Sequence, residues 1–162
     1  MEPDGEILAA VDGSEHSDKI VDEACSLAKK MNAKLALIYV TPDIVVPEAY
    51  KKYSEIEKTD AWLGYFDALG EKVLSKYNKK ILDSKLICEI VHEEGNVAER
   101  IINTAKSRKD MMILIGLSGL HGVAKIRALG STSRIVVENA ECPVLVYLSS
   151  TRKLIMKIIQ SF

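Results

Sequence analysis

The stretch from Ile7 to Val40, ILAAVDGSEHSDKIVDEACSLAKKMNAKLALIYV, decides how the chain folds. A short apolar run, Glu6 to Val11, is closed by the turn residues of DGSEHS, which also offer a helix cap. From Ser17 to Met31, the residues Ile20, Val21, Ala24, Leu27, Ala28 and Met31 recur at spacings of three and four. One helical face is therefore apolar, while Lys and Asp occupy the other. Lys34 to Val40, KLALIYV, is nearly continuous apolar sequence, as a parallel strand covered on both faces requires. Strand, helix, strand is the expected order, with the second strand central.

The same alternation continues outward. Thr41 to Asp60 holds two prolines and many charges without a clean period, so it is expected to be a long, partly ordered connection. Trp62, Phe66, Leu69, Val73, Tyr77 and Ile81 mark a second amphipathic helix, weakened locally by Gly64 and Gly70. Lys85 to His92 reads as a third strand, followed by a helix with Val97, Ala98, Ile101, Ile102 and Ala105 on one face. MMILIG is a fourth strand, a helix follows with Ile135, Val136 and Ala140, and CPVLVYL is a fifth. The fold class is α/β: a five-stranded parallel sheet with right-handed crossovers and helices on both faces. The final TRKLIMKIIQSF would place Leu154, Ile155, Ile158, Ile159 and Phe162 on a helix face opposite Arg152, Lys153 and Lys157. Such a tail is expected to dock on its own domain or on a subunit partner rather than a membrane, with an edge strand as the alternative. The division is thus a domain over 1–149 and an amphipathic tail over 150–162.

With 162 residues the chain suits a single core, and 48% hydrophobic with 28% charged residues keeps it away from disordered composition. Twenty-two basic against 23 acidic side chains leave a net charge of -1, which supplies no overall field to gather nucleic acid. Cys25, Cys88 and Cys142 are scattered and odd in number, so neither a zinc site nor a disulfide framework is indicated. The acidic start MEPDGE is unlike a secretory signal, and no apolar run reaches membrane-spanning length. A soluble, cytoplasmic protein is expected.

In an open parallel sheet, ligands bind beyond the carboxyl ends of the strands, which names VDGSEHS, YVTPD, HEEGN and IGLSGLHGVAKIRALGSTS as candidate loops. The last of these carries Gly116, Gly119, Gly122 and Gly130. Glycine lets backbone amides approach a ligand, and a helix start adds unpaired N–H groups and a positive dipole end. Gly130, Ser131, Thr132 and Ser133 meet that requirement, with three hydroxyls able to cap the helix or donate to an anion. Asp12, ending the first strand, can hold a divalent cation against phosphates, although an Asp-Gly-Ser is also an ordinary turn. The loop is neither a Walker A sequence nor a dinucleotide G-x-G-x-x-G. His16, His92 and His121 are far apart in sequence and indicate no metal site. Lys125 and Arg127 can reach phosphates, with solvated surface positions as the alternative.

Together these pieces resemble the universal stress protein family over nearly the whole chain to about Leu148. The opening strand–helix–strand, EEGNVAERI and ECPVLVYL are each similar to the family's corresponding segments. The glycine stretch resembles the motif of its nucleotide-binding members: Gly, two residues, Gly, nine residues, Gly, then Ser or Thr. That resemblance implies a Rossmann-like domain, related to the adenine nucleotide alpha hydrolase fold, with Asp12 near phosphates and metal and Val40 against adenine. Gly116 and Gly119 would line the ribose and phosphate side, while Gly130, Ser131 and Ser133 would hold phosphates, with Thr132 between them. This chain departs from the motif by one residue, since Leu120 to Leu129 makes ten between Gly119 and Gly130. Gly122 is suited to absorb the extra residue as a bulge.

The leading reading is therefore an ATP-binding regulatory or stress-response module, a homodimer, with Mg or Mn beside the phosphates. No residue is identified that would orient water or stabilise a transferring phosphoryl group, so no catalytic residue is expected, and slow ATP hydrolysis stays open. The alternative is a dimeric protein-interaction module of the same fold that has lost the nucleotide. A nucleotide-activating ligase or pyrophosphatase ranks third, because VDGSEHS lacks a glycine-rich phosphate-gripping loop.

Overall fold

A computed structural model describes residues 2–43, 56–108, 111–117, 129–148 and 153–157. The elements run β1 (Glu6–Ala10), α1 (Glu15–Met31), β2 (Lys34–Pro42), α2 (Ile56–Asp83) and β3 (Cys88–Gly95). They continue as α3 (Val97–Lys106), β4 (Met111–Gly116), α4 (Ser131–Asn139), β5 (Val144–Leu148) and β6 (Lys153–Lys157). The sheet order is β3-β2-β1-β4-β5-β6, with every neighbouring pair parallel except β5 and β6. The five parallel strands expected from the sequence are all present.

Alternation along each strand divides the core in two. Ile7 and Ala9 of β1 and Leu35, Leu37 and Tyr39 of β2 pack with Val21 and Ala24 of α1 and with Tyr77 and Ile81 of α2. Leu8, Ala36, Ile38 and Val40 point the other way, to Ala98 and Ile101 of α3 and Val136 of α4. Near-continuous apolar strands are what this double covering demands. Tyr77 also donates its hydroxyl to Asp18 at 2.8 Å, tying α2 to α1 beside the Lys76–Asp18 pair at 2.6 Å.

The amino ends of the strands carry a second fastening. Arg108, just before β4, donates to Glu6 of β1 at 2.8 Å and grips Glu89 of β3 with both terminal nitrogens, at 2.6 and 2.9 Å. The fork reaches across the start of β2, which lies between those strands. Hydrogen bonds from this guanidinium hold the Glu89 carboxyl below its ordinary value.

Several boundaries differ from expectation. The helix expected around Trp62 to Ile81 begins at Ile56 and β2 runs on to Pro42, so the connection Thr41–Asp60 is shorter at both ends than its composition suggested. The third strand starts at Cys88 rather than Lys85, because Lys85 has a φ of 59° and turns the chain there. It then extends to Gly95, absorbing most of HEEGN. The helical reading of the tail is corrected over Lys153–Lys157, where the alternative, an edge strand, holds: the segment pairs antiparallel with β5, with Ile155 opposite Val146. The open edge of β5 supplies a row of backbone partners that an isolated short helix would lack, and the β-branched Ile155 suits a strand.

Candidate functional site

β1 and β4 are neighbours, yet the crossover through α1 leaves β1 toward β2 while the return from β3 passes back over to β4. Chain order thus reverses between β1 and β4, and that point opens a crevice at the carboxyl ends of the strands. A cavity of about 270 Å³ occupies it. Its volume is close to the lower end for small-molecule sites, about 300 Å³. One part is apolar, formed by Ile38 and Val40 of β2, Ile115 of β4, and Val97 and Ile101 of α3. Polar groups also line it, Asp12, Ser14 and His16 near the start of α1 and Thr132 and Ser133 of α4.

Asp12 organises the β1–α1 loop. Its Oδ1 accepts the Ser14 backbone N–H at 2.9 Å and the Ser17 hydroxyl at 2.8 Å, while its own N–H donates to Ser17 Oγ at 3.0 Å. Ser17 is fully buried, which anchors the loop to the body of α1. Gly13 completes the turn at a φ of 81°, where an added Cβ would stand 2.7 Å from the Val73 side chain. Desolvation pushes the Asp12 carboxyl up, but the hydrogen bonds from Ser14 and Ser17 outweigh it and leave the group below its ordinary 3.8. Because the folded-state value is depressed, the stabilisation is present above 3.8 and fades as pH falls through the lower folded-state value. Asp12→Ala is expected to cost about 1–2 kcal/mol near neutral pH. In urea unfolding, its gap from the wild type should narrow as pH is lowered from about 7 to about 3. A gap independent of pH would show that the carboxylate does not hold the turn.

At the opposite wall Gly130 is the N-cap of α4, with φ −60° and ψ 163°, and no side chain caps the helix. The three hydroxyls therefore do not cap in the way the sequence suggested. Ser133 is buried and donates to the Gly130 carbonyl at 3.4 Å, a long contact, and the first N–H groups of α4 receive no side-chain cap. Of the residues singled out from sequence, Asp12, Val40, Gly116, Thr132 and Ser133 line one cavity, and Gly130 and Ser131 begin the helix that borders it. Gly119, Gly122, His121, Lys125 and Arg127 lie outside the described residues. Among the described residues, no group of three or more His, Cys, Asp or Glu is placed to hold a metal ion. A cation here would take Asp12 together with ligand oxygens and water.

Sequence reading missed three contributors. His16 of α1, Tyr39 of β2 and Leu69 of α2 all line the cavity. Behind Tyr39, the buried Thr41 hydroxyl donates to Asp67 Oδ1 at 2.8 Å and lies 2.8 Å from His92 Nε2, while the Tyr39 and His92 rings meet edge to face. The signal for His16 was present in DGSEHS, since the first turn of a helix that follows a strand end faces the same crevice. No local signal marks Leu69, which reaches the cavity through the approach of α2 to β2.

An open α/β sheet of Rossmann-like architecture, with a small-molecule cavity at its switch point, is the class these features define. Residues 5–147 match the universal stress protein family, and the chain belongs to that family. Among its relatives is Universal stress protein YxiE of Bacillus subtilis, 30% identical over 143 residues, covering 86% of this chain and 96% of that protein. The fold matches universal stress protein UspA from Lactobacillus plantarum with a TM-score of 0.74 at 23% identity, over 90% of this chain and 99% of that one. It also matches the universal stress protein from Archaeoglobus fulgidus in complex with dAMP, with a TM-score of 0.62 at 17% identity, over 90% and 98% of the two chains.

Proposed function

We propose that this chain binds an adenine nucleotide, ATP with an accompanying Mg or Mn ion, and acts as a regulatory stress-response module in the cytoplasm, as a homodimer. The observation that carries this reading is one cavity lined both by an apolar cluster around Val40 and by Asp12 with Thr132 and Ser133 at the uncapped start of α4. The apolar lining suits a flat base, and the helix start suits a phosphate. Asp12 would hold the metal, and Gly116, Gly119, Gly130, Ser131, Thr132 and Ser133 would surround ribose and phosphates. The dAMP complex of the Archaeoglobus fulgidus relative supports the ligand class. No side chain is assigned a catalytic role.

The test is direct. Purified protein is denatured and assayed for released nucleotide, then nucleotide-free protein is titrated calorimetrically with ATP and magnesium. Gly130→Leu should weaken ATP by about tenfold or more, because a side chain at the cap stands where the phosphate approaches the helix. Its backbone conformation is one that leucine adopts, so folding should persist. Absence of both carried nucleotide and binding heat at millimolar ATP would refute the reading in favour of a nucleotide-free interaction module. Mass in solution decides the dimer.

A further inference from the structure

The two sides of the sheet are finished differently. β3 ends one of them, and its eight residues, CEIVHEEG, include Glu89, Glu93 and Glu94. Charges along an edge strand discourage a second chain from pairing there. β5 lies toward the other side, and its five residues, VLVYL, carry no charge. Two copies of a bare β5 could pair antiparallel over all five residues, with Val144 opposite Leu148, Leu145 opposite Tyr147 and Val146 opposite its own counterpart. Such a ladder sets only aliphatic and aromatic residues against one another, the contact that an uncovered edge invites.

β6 occupies that edge instead. It is the one antiparallel strand among those described, and it pairs with β5 over its full length, from Val144 opposite Lys157 to Leu148 opposite Lys153. It lies beyond residue 147, where the match to the family ends. Its sequence, KLIMK, puts a lysine at each end of the new edge. Two copies of β6 paired over all five residues would set Lys153 against Lys157 at both ends, and like charges directly opposite destabilise a ladder. An uncharged edge is thus exchanged for one that resists self-pairing.

We propose that β6 is a guard strand: it covers β5, and its release frees β5 to pair antiparallel with β5 of a second copy of this chain. That pairing is two-fold and closes on itself, so it doubles the assembly without propagating. A dimer of the full chain then uses a surface other than this edge. No residue of β5 or β6 is among the described lining of the nucleotide cavity, so the inference stands or falls apart from the nucleotide reading.

The test uses the full-length chain carrying Leu154→Pro together with Ile155→Pro. In an antiparallel pair the N–H groups face the partner at alternate residues, so one of two consecutive prolines removes a bond to β5. Mass in solution and amide hydrogen exchange are compared with the wild type. At about 100 μM the variant should have twice the wild-type mass, returning to it near about 1 μM, as a contact of micromolar strength requires. Its β5 amides should exchange faster than those of the wild type in the dilute sample and regain protection in the concentrated one. A peptide of residues 150–162, added in excess, should bring the variant back to the wild-type mass. Should the prolines unfold the chain, a chain ended after Ser150 keeps the whole of the matched domain and carries the same measurements. Wild-type mass at every concentration overturns the proposal, whether or not the β5 amides are freed. Growth beyond a doubling, or a doubling that the peptide does not reverse, overturns it because another surface then holds the copies together. Unfolding of both variants overturns it as well, since β6 would then be required by the fold rather than laid over it.

Discussion

Leu37→Ala is expected to remove about 2–5 kcal/mol of folding stability, measured as a shift of the urea midpoint with little change in slope. Leu37 sits mid-strand in β2, paired with Ala9 on one side and Ile90 on the other, and is completely buried. Its side chain belongs to the cluster that joins α1 and α2 to the sheet, among Val21, Ala24 and Tyr77. Truncation deletes buried methyl groups and leaves a hole that strands fixed on both edges cannot close, so the cavity cost adds to the transfer cost. Whole domains are stable by only about 5–15 kcal/mol, so the variant should lie near the threshold of folding. Ile90→Ala, at a residue 36% exposed on the outer strand, should cost far less. Equal effects at the two positions would refute the two-sided burial of β2.

Gly70→Ala should destabilise by about 1–3 kcal/mol, although helix propensity alone gives it the opposite sign. In an exposed helix, replacing glycine by alanine gains about 1 kcal/mol. Here an added Cβ would stand 2.6 Å from two carbons of the Tyr39 ring and 3.0 Å from His92 Nε2. The Tyr39 ring cannot yield easily, since it is 4% exposed and packs edge to face on His92. The helix must lift, pulling Asp67 away from Thr41 and Leu69 from the cavity wall. Gly64 is the internal control: among the described residues nothing lies within 4 Å of its added Cβ, so Gly64→Ala should stabilise. If both substitutions stabilise, α2 does not approach β2 as closely as described.

That pair of glycines shows what a sequence does and does not reveal. Both read as weak points in a helical pattern, because propensity is a property of the residue and its neighbours in the chain. Only the tertiary contact distinguishes Gly70, which lets two elements touch, from Gly64, which meets none of the described residues. The strands were legible for the converse reason: in Lys34–Val40 or MMILIG, burial on both faces is written directly into consecutive residues. The carboxyl-end loops were legible as well, since topology alone places them, and five of the singled-out residues do line one cavity. Arg108 was not, because its partners Glu6 and Glu89 are 102 and 19 residues away and no local period links them. The tail misled because Leu154, Ile155 and Ile158 fit a helical stripe, while the partner that makes a strand of Lys153–Lys157, the edge of β5, lies outside the window.

The Arg108 fork has a mechanical consequence. It fastens the amino ends of β1 and β3, whereas the cavity lies at the carboxyl ends, so the fastening and the cavity stand at opposite ends of the sheet. β2, between the two pinned strands, is nine residues long, about 30 Å at the usual rise of about 3.3 Å per residue. Its ladders run on from the fork to Ala10–Ile38 and Pro42–Gly95 at the carboxyl ends, so the width of the cavity is set by the loops and helix starts around it rather than by the spacing of these strands.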